Sequence, residues 1–556
     1  MTKFKPLPIG VENFEDMIKE NYYYIDKTLF IKDLLDQKGK VNLFTRPRRF
    51  GKTLSISMFQ YFFENLKEDK CHLFDRLNIA TAGEAYLAHQ NKYPVIKISL
   101  KEASTDCFED SFKKLVTAIS GEFKRHGYLL EHSALQKSDQ EKYQRIVSEE
   151  ATYHDYSGSL KFISECLVHY YHEKVIILID EYDVPLEKAH FNDFIRSFFS
   201  DALKTNDGLH FAVMTGCLRV SKESIFTGLN HLNIISILTD HYGEYFGFTE
   251  KEIDALLKYY ELDDKADEIR DWYNGYLFGE TTVYNPWSSV TYLSDVLYGK
   301  MAFPRPHWAN TSSNSIVREL IGLADDETKN EIEALTKGET IIKPITEDIV
   351  YDDITKHMDN LWSFLFFTGY LKKMSKEQRG ETIYLEMKIP NREVKYIYNR
   401  HLREWFDEKI KLVDLIPLYT AVLNQDVLIF QNELSDILMD TISYFDSEEA
   451  FYHGFLVGVL RQISGYIAKS NRESGNGRGD IFLRPVSIRK PAIVIEVKVA
   501  KKAQDLKKES DVALKQIEEK KYEDELVRDG YSQVIKYGIA FYRKDCEIKL
   551  GEISRR

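Results

Sequence analysis

The sequence predicts an α/β chain: a parallel sheet layered with helices over the first 235 residues, a helical to mixed middle, and a second α/β unit at the C-terminal end. Three observations carry this. Apolar runs alternate with amphipathic helical stretches between residues 41 and 214, the pattern of βαβ units. The first apolar run leads into Gly51-Lys52-Thr53 ahead of a helix. Near the end, a glycine-rich loop precedes a strand opened by Asp480 and then a strand carrying Glu496 and Lys498. At 556 residues the chain has room for roughly three or four domains.

The elements follow in order. Val41–Phe44 reads as a strand and Leu54–Phe63 as a helix, with further strands at Pro94–Leu100, Val175–Ile179 and Leu209–Met214. Residues 236–300 look helical (Glu250–Tyr260, Lys265–Tyr273) and close on Tyr284-Asn285-Pro286-Trp287. Residues 301–410 are mixed, with an apolar segment Leu361–Leu371 and a strand Ile383–Ile389. Helices are expected over 411–470, then the loop 475–479, a strand Ile481–Leu483, the strand Ala492–Lys498, a helix Asp505–Lys521 and a last strand Lys536–Phe541. The domain boundaries expected from this are 1–235, 236–300, 301–410 and 411–556.

Composition narrows the class. With 43% hydrophobic and 13% aromatic residues the chain has ample core material and is not disordered. Five dispersed cysteines without CxxC spacing fit free thiols in a reducing compartment. The N-terminus lacks a signal-peptide h-region, and the purest apolar run, Val175–Ile179, is far short of the ~20 residues that span a bilayer. A cytoplasmic protein without a membrane partner is expected. The net charge of −13 argues against a general nucleic-acid binder. It is unevenly spread, however: residues 469–556 carry +6 and the remainder −19. A basic tail on an acidic body directs attention to a phosphate-bearing partner at the tail.

Two groups of residues carry chemistry. Thr45-Arg46-Pro47-Arg48-Arg49-Phe50-Gly51-Lys52-Thr53 lies between a strand and a helix, the setting of a P-loop. There, backbone N–H groups and the helix dipole hold phosphates, Lys52 reaches the β/γ-phosphates and the Thr53 hydroxyl ligates Mg²⁺. Arg46 stands where a Walker A loop has glycine, so the start of the loop has a different geometry; Arg46, Arg48 and Arg49 are expected to add charge beside the phosphates. Val175-Ile176-Ile177-Leu178-Ile179-Asp180-Glu181 is a Walker B pattern, with Asp180 for the Mg²⁺ shell and Glu181 to polarise the attacking water. Thr215 ends the neighbouring strand, where AAA-type ATPases keep a γ-phosphate sensor, and Arg219 is either a phosphate-contacting arginine or a surface salt bridge. The expected nucleotide-binding set is Arg49, Phe50, Gly51, Lys52, Thr53, Leu54, Asp180 and Thr215, with ATP and Mg²⁺ as ligands.

At the other end, Glu496 and Lys498 share one face of a strand, and Asp480 opens the strand before it. Two carboxylates and an ammonium are the equipment of metal-assisted phosphodiester hydrolysis. Asp480, Glu496 and Lys498 are expected to be catalytic, with Asp480 and Glu496 as metal ligands. Glu-x-Lys also occurs at Glu386 and Glu518, so the order of elements around Glu496 carries the assignment. Glu473 is a candidate further carboxylate, the fourth group of the set, and Gln516 and Tyr522 are candidate flanking groups. The aromatic residues Trp272, Tyr273, Trp287, Trp308 and Trp362 read as core, with base stacking as the lesser alternative.

With both groups in hand, the chain resembles the bacterial AAA-ATPase-like proteins that carry a C-terminal PD-(D/E)XK nuclease-superfamily domain. The resemblance rests on Ile25-Asp26-Lys27-Thr28, Arg46-Pro47-Arg48-Arg49-Phe50-Gly51-Lys52-Thr53, Ile179-Asp180-Glu181-Tyr182-Asp183, Thr215-Gly216, Ser224-Ile225-Phe226, Gly228-Leu229-Asn230, Trp272-Tyr273-Asn274-Gly275-Tyr276, Tyr284-Asn285-Pro286-Trp287, Gly477-Arg478-Gly479-Asp480, Ile495-Glu496-Val497-Lys498 and Gln516-Ile517 with Tyr522. It implies a P-loop ATPase sheet of the AAA kind, a helical or winged-helix-like middle and a restriction-endonuclease-like end. Arg46 is then a family trait, since the family's loop reads RPRRFGK. The activity implied is ATP binding and hydrolysis coupled to Mg²⁺-dependent cleavage of nucleic acid, DNA first, by a chain that can form homo-oligomers. Two rivals stand beside it: a nucleotide-dependent switch or scaffold whose nuclease-like domain binds without cutting, and an ATPase motor for which the tail is a tether.

Overall fold

The computed structural model describes residues 4–65, 68–103, 107–131, 135–186, 192–219, 232–299, 302–310, 318, 322, 324–347, 358–412, 414–441, 449–470 and 480–555. The chain divides into two compact units, one of residues 1–320 and 338–397, the other of 321–337 and 398–556.

In the first unit five strands form one all-parallel sheet: β1 (Val41–Thr45), β2 (Val95–Ser99), β3 (Val175–Asp180), β4 (Leu209–Gly216) and β5 (Leu232–Ile235). Their order is β2-β3-β4-β1-β5. Every residue of β1 and β3 is buried, which is why both read as unbroken apolar runs. The sheet is covered by α1 (Lys52–Phe63), α2 (Phe108–Arg125), α3 (Ser159–Tyr171) and α4 (Asn192–Leu203). The order sets β4 between β1 and β3, so the ends of these three strands open side by side at one edge. That edge, at the carboxyl ends of a parallel sheet, is where α/β folds place ligands.

Two helices follow, α5 (Glu250–Tyr260) and α6 (Ala266–Tyr273), as the apolar spacing predicts. The stretch expected to be purely helical also holds a hairpin, β6 (Tyr276–Phe278) and β7 (Thr281–Val283). Asn285 then caps α7 (Pro286–Tyr298): its side chain accepts from the Ser288 N–H, and Pro286 fills the first turn, where a missing N–H costs nothing. The mixed region contains β8 (Ile341–Ile345), α8 (Met358–Phe367), β9 (Lys372–Arg379) and β10 (Thr382–Lys388), with an antiparallel order β8-β10-β9. The long helix α9 (Arg392–Leu412) begins in the first unit and continues into the second.

The second unit holds α10 (Ile416–Asn424), α11 (Val427–Thr441) and α12 (Glu449–Leu460). Then come β11 (Tyr466–Ser470), β12 (Asp480–Pro485) and β13 (Ala492–Val499), the helices α13 (Leu506–Lys520) and α14 (Tyr522–Arg528), and β14 (Gln533–Tyr542), β15 (Asp545–Leu550) and β16 (Ser554–Arg555). The sheet order is β11-β12-β13-β14-β15, with β13 and β14 parallel and the other neighbouring pairs antiparallel. One face packs Ile495, Val497, Ile539 and Phe541 against α10, α11 and α12. The other packs Ala492, Val494 and Val534 against Ile517 of α13 and Leu526 of α14. Residues 466–470, expected to end a helical region, form an edge strand, and Lys536–Phe541 is followed by two further strands. Among the described residues no helix is long and apolar enough to cross a membrane.

Candidate functional site

The strand ends of the first unit assemble a compact set of polar groups. Gly51 caps α1 with φ of 80°, and Arg49, two residues before it, also holds a positive φ of 70°. A left-handed conformation at a non-glycine residue is costly and marks a loop whose shape is imposed by its surroundings. Phe50 supplies that constraint: its ring is 1% exposed and packs edge-on against Tyr276 and Phe278, with centroids 4.9 and 5.1 Å away. Phe50 therefore anchors the loop, and only its backbone is left to meet a ligand.

Lys52 lies under the loop. Its ammonium donates to the carbonyls of Arg46 and Pro47, each at 3.0 Å, and contacts Cys217 Sγ at 3.6 Å. Burial pushes the Cys217 thiol pKa up. Thr53 Oγ1 donates to Asp180 Oδ2 at 2.7 Å, and Thr215 Oγ1 donates to Asp180 Oδ1 at 2.6 Å. One carboxylate thus joins the first turn of α1, the end of β3 and the end of β4. Glu181 follows with φ of 52°, and burial pushes its carboxyl pKa above the usual value. Asp183 accepts from the backbone N–H groups of Cys217 and Leu218 at 2.8 and 2.9 Å and pins the turn after β4.

These groups border a cleft of about 880 Å³ lined by Arg48 to Ser55, Glu181, Tyr24, Phe248 and Trp287 among others. Its size suits a nucleotide. The lining brings together six expected residues, Arg49, Phe50, Gly51, Lys52, Thr53 and Leu54, with Glu181; Asp180 and Thr215 stand just beneath. The Arg49 guanidinium lies 4.4 Å from the Trp287 ring centroid.

One expectation is corrected, and one open alternative is resolved. Arg46 is not among the residues lining the cleft. It is fully buried, donates to the Thr45 and Ile235 carbonyls at 2.9 Å, and sits 5.0 and 5.2 Å from the ring centroids of Phe246 and Phe278. Burial pushes its pKa down to about 9. An arginine held by two carbonyls and two aromatic faces is a structural member of the loop. Arg219 forms an ion pair with Glu347 at 3.2 Å, the salt-bridge alternative. Of the aromatic residues expected in the core, Tyr273, Trp308 and Trp362 are buried, Trp272 is partly buried against a core cluster, and Trp287 is partly exposed in the cleft. Ser224 to Asn230 lie outside the described residues.

In the second unit Asp480 and Glu496 are register partners across β12 and β13. Glu496 is 0% exposed; its Oε1 receives the Lys498 ammonium at 3.1 Å, and its Oε2 has no hydrogen-bond partner among the described residues. A buried carboxylate oxygen without a donor is expensive, and a hard cation with oxygen ligands satisfies it. Lys498 also lies 3.5 Å from Glu449, at the start of α12. Glu449 is a carboxylate that sequence reading missed, being 47 residues from Glu496 in the chain; an acidic residue opening an otherwise apolar helix was its sole signal. Among the described residues no three His, Cys, Asp or Glu side chains form a ready-made metal cage. Such openness is usual for Mg²⁺, which keeps waters and substrate oxygens in its shell. Glu473 and the loop 475–479 lie outside the described residues, Gln516 is half-buried on α13, and Tyr522 opens α14.

Comparison with known proteins finds two family-level similarities, one in each half of the chain. Residues 8–226 match the family model described as predicted AAA-ATPase, and residues 447–550 match the PD-(D/E)XK nuclease superfamily. An uncharacterised protein of Azotobacter chroococcum mcd 1, encoded in the vnfD 5' region, is 27% identical over 407 residues, covering 72% of this chain and 70% of that one. Among solved structures, a Walker-type ATPase of Pyrococcus abyssi aligns with a TM-score of 0.36 at 13% identity, over 71% of this chain and 98% of that one.

Proposed function

We propose that this chain, which carries a predicted AAA-ATPase domain at 8–226 and a PD-(D/E)XK nuclease-superfamily domain at 447–550, hydrolyses ATP and cleaves nucleic acid with Mg²⁺. Residues 1–235 are read as the ATPase domain, 236–300 as its lid-like region, 301–410 as a mixed connecting region and 411–556 as the nuclease domain.

In the ATPase domain the N–H groups of Gly51, Lys52 and Thr53 at the start of α1 receive the phosphates. Lys52 leaves the loop carbonyls to follow them. Thr53 and Asp180 are the metal-holding pair, with Thr215 orienting the Asp180 carboxylate. Glu181 accepts the proton of the attacking water, a task helped by a pKa raised through burial. In the nuclease domain Asp480 and Glu496 hold the metal, and Lys498 faces the developing charge on the phosphate. Bound Mg²⁺ supplies charge neutralisation at the first site and polarisation of the scissile phosphate at the second.

The observation carrying this reading is the register of Asp480 against Glu496 with Lys498 3.1 Å from Glu496, beside an unpartnered Glu496 Oε2. Its test is incubation of the purified full chain with DNA and with RNA in Mg²⁺ or EDTA. Metal-dependent cleavage lost in Glu496→Ala supports the reading; cleavage surviving both Glu496→Ala and Lys498→Ala overturns the site.

A further inference from the structure

Strand β13 delivers Glu496 and Lys498 and stops at Val499. The chain then turns through Ala503–Asp505 into α13. Four lysines stand on this passage, Lys501, Lys502, Lys507 and Lys508. All four are exposed, and none has an ion pair or side-chain hydrogen bond among the described residues. Farther along α13 charges are matched: Lys515 pairs with Glu519 at 3.5 Å, and Asp511 with Lys549 at 2.5 Å.

The register fixes where this passage lies. Glu496 is paired with Gly538 of β14 in the parallel ladder. A Cβ on Gly538 would stand 2.5 Å from the Ser510 carbonyl oxygen and 2.8 Å from Leu514 Cγ. Register partners project to the same face of a sheet, so α13 lies on the face to which Glu496 points, with Ser510 beside the Glu496 row. Lys508 and Lys507 are two and three residues earlier, roughly 3–4.5 Å of helix rise from that row. Glu509 shares the first turn with Lys507 and Lys508 and Asp505 is the N-cap residue, so residues 501–509 carry four lysines against two acids, a net of +2, at a helix end whose dipole favours an anion.

We propose that Lys501, Lys502, Lys507 and Lys508 form a track for the phosphate backbone of duplex DNA and lead it to the Glu496–Lys498 row. The proposal rests on the nuclease reading above. It explains why the basic excess of the chain gathers in its tail while the rest is acidic. Contacts of this kind are independent of sequence and fall steeply with salt.

The test is fluorescence anisotropy of a labelled 20-base-pair duplex with the full chain in Ca²⁺, titrated from 50 to 200 mM salt. Replacing all four lysines by alanine is expected to weaken binding at least tenfold at 100 mM salt. The slope of log K against log[salt] is expected to shrink by about 0.9 for each lysine that contacts a phosphate, about 3–4 in all. Lys515→Ala leaves both quantities unchanged, the fourfold Lys→Arg variant retains the slope, and ATP affinity by calorimetry reports an intact fold. An unchanged slope in the alanine variant overturns the track and leaves the nuclease reading standing. A wild type that binds RNA alone, or no nucleic acid, also overturns the track. Track-dependent DNA binding without cleavage in Mg²⁺ upholds the track and removes the nuclease reading.

Discussion

Thr53 Oγ1 donates to Asp180 Oδ2 across 2.7 Å, tying the first turn of α1 to the end of a strand two places away in the sheet. The bond orients both oxygens before any ligand arrives, and Thr215 locks the other carboxylate oxygen at 2.6 Å. Thr53→Ala is expected to lower the Mg²⁺-dependent part of ATP affinity about tenfold, worth about 1.4 kcal/mol, while affinity in EDTA changes little. Thr53→Ser restores it. Calorimetry with and without metal checks this; an equal loss in EDTA would mean that Thr53 serves packing alone.

Glu181 is the group expected to accept the water proton. Glu181→Gln is expected to keep ATP binding and to lower kcat by roughly 10²–10⁴-fold. The pH profile carries a sign. The base works only when ionised, so turnover falls as pH drops through its pKa. Burial raises that pKa above 4.5, which places the acid limb of kcat above pH 4.5. Phosphate release measured between pH 4.5 and 8 tests this, and a flat profile across that range contradicts the assignment.

Glu393 is a buried acid outside both sites. Its Oε1 accepts from Ser288 Oγ at 2.9 Å and from the Trp308 N–H at 2.8 Å, while Oε2 has no partner among the described residues. Burial pushes its pKa up to about 8 from 4.5. Between these values the folded chain keeps a proton that the unfolded chain has released, so stability falls as pH rises from about 4.5 to 8 and levels off beyond. At about 1.4 kcal/mol per unit the full effect is capped at a few kcal/mol. Glu393→Gln is expected to flatten that slope and to raise Tm at pH 8 relative to wild type. Thermal unfolding at pH 6 and pH 8 measures it; identical slopes in the two proteins contradict it.

Glu449 offers a graded test of the second site. It touches Lys498 at 3.5 Å but is not the strand carboxylate. Glu449→Gln is expected to slow cleavage roughly tenfold by loosening the lysine, less than Glu496→Ala, which removes a metal ligand. Single-turnover cleavage rates order the two, and a Glu449→Gln rate at or below that of Glu496→Ala reverses the roles.

What the sequence made legible follows burial. Strands β1, β3 and β13 are wholly or mostly buried and were readable as apolar runs ending in polar residues. The edge strands β5 and β15, and β11 with Ile467 half exposed, carry short or alternating patterns and escaped the reading. The site shows the same division. Lys52, Thr53, Asp180 and Glu181 are close in pattern to known chemistry. Arg46 looked like its neighbours Arg48 and Arg49, and nothing local marks that Phe246 and Phe278, about 200 residues on, enclose it. Glu449 is likewise brought to Lys498 by the packing of α12 on the sheet, which no local spacing encodes.

We propose that the ATPase-like domain at 8–226 controls cleavage by the nuclease-superfamily domain at 447–550. The most direct measurement is DNA cleavage by the full chain in Mg²⁺, with and without ATP, for wild type, Lys52→Ala and Glu496→Ala. Wild type is expected to cleave at a rate that changes with ATP, Lys52→Ala to cleave at a rate that ignores ATP, and Glu496→Ala not to cleave. Cleavage by Glu496→Ala at the wild-type rate, or a wild-type rate indifferent to ATP, would contradict it.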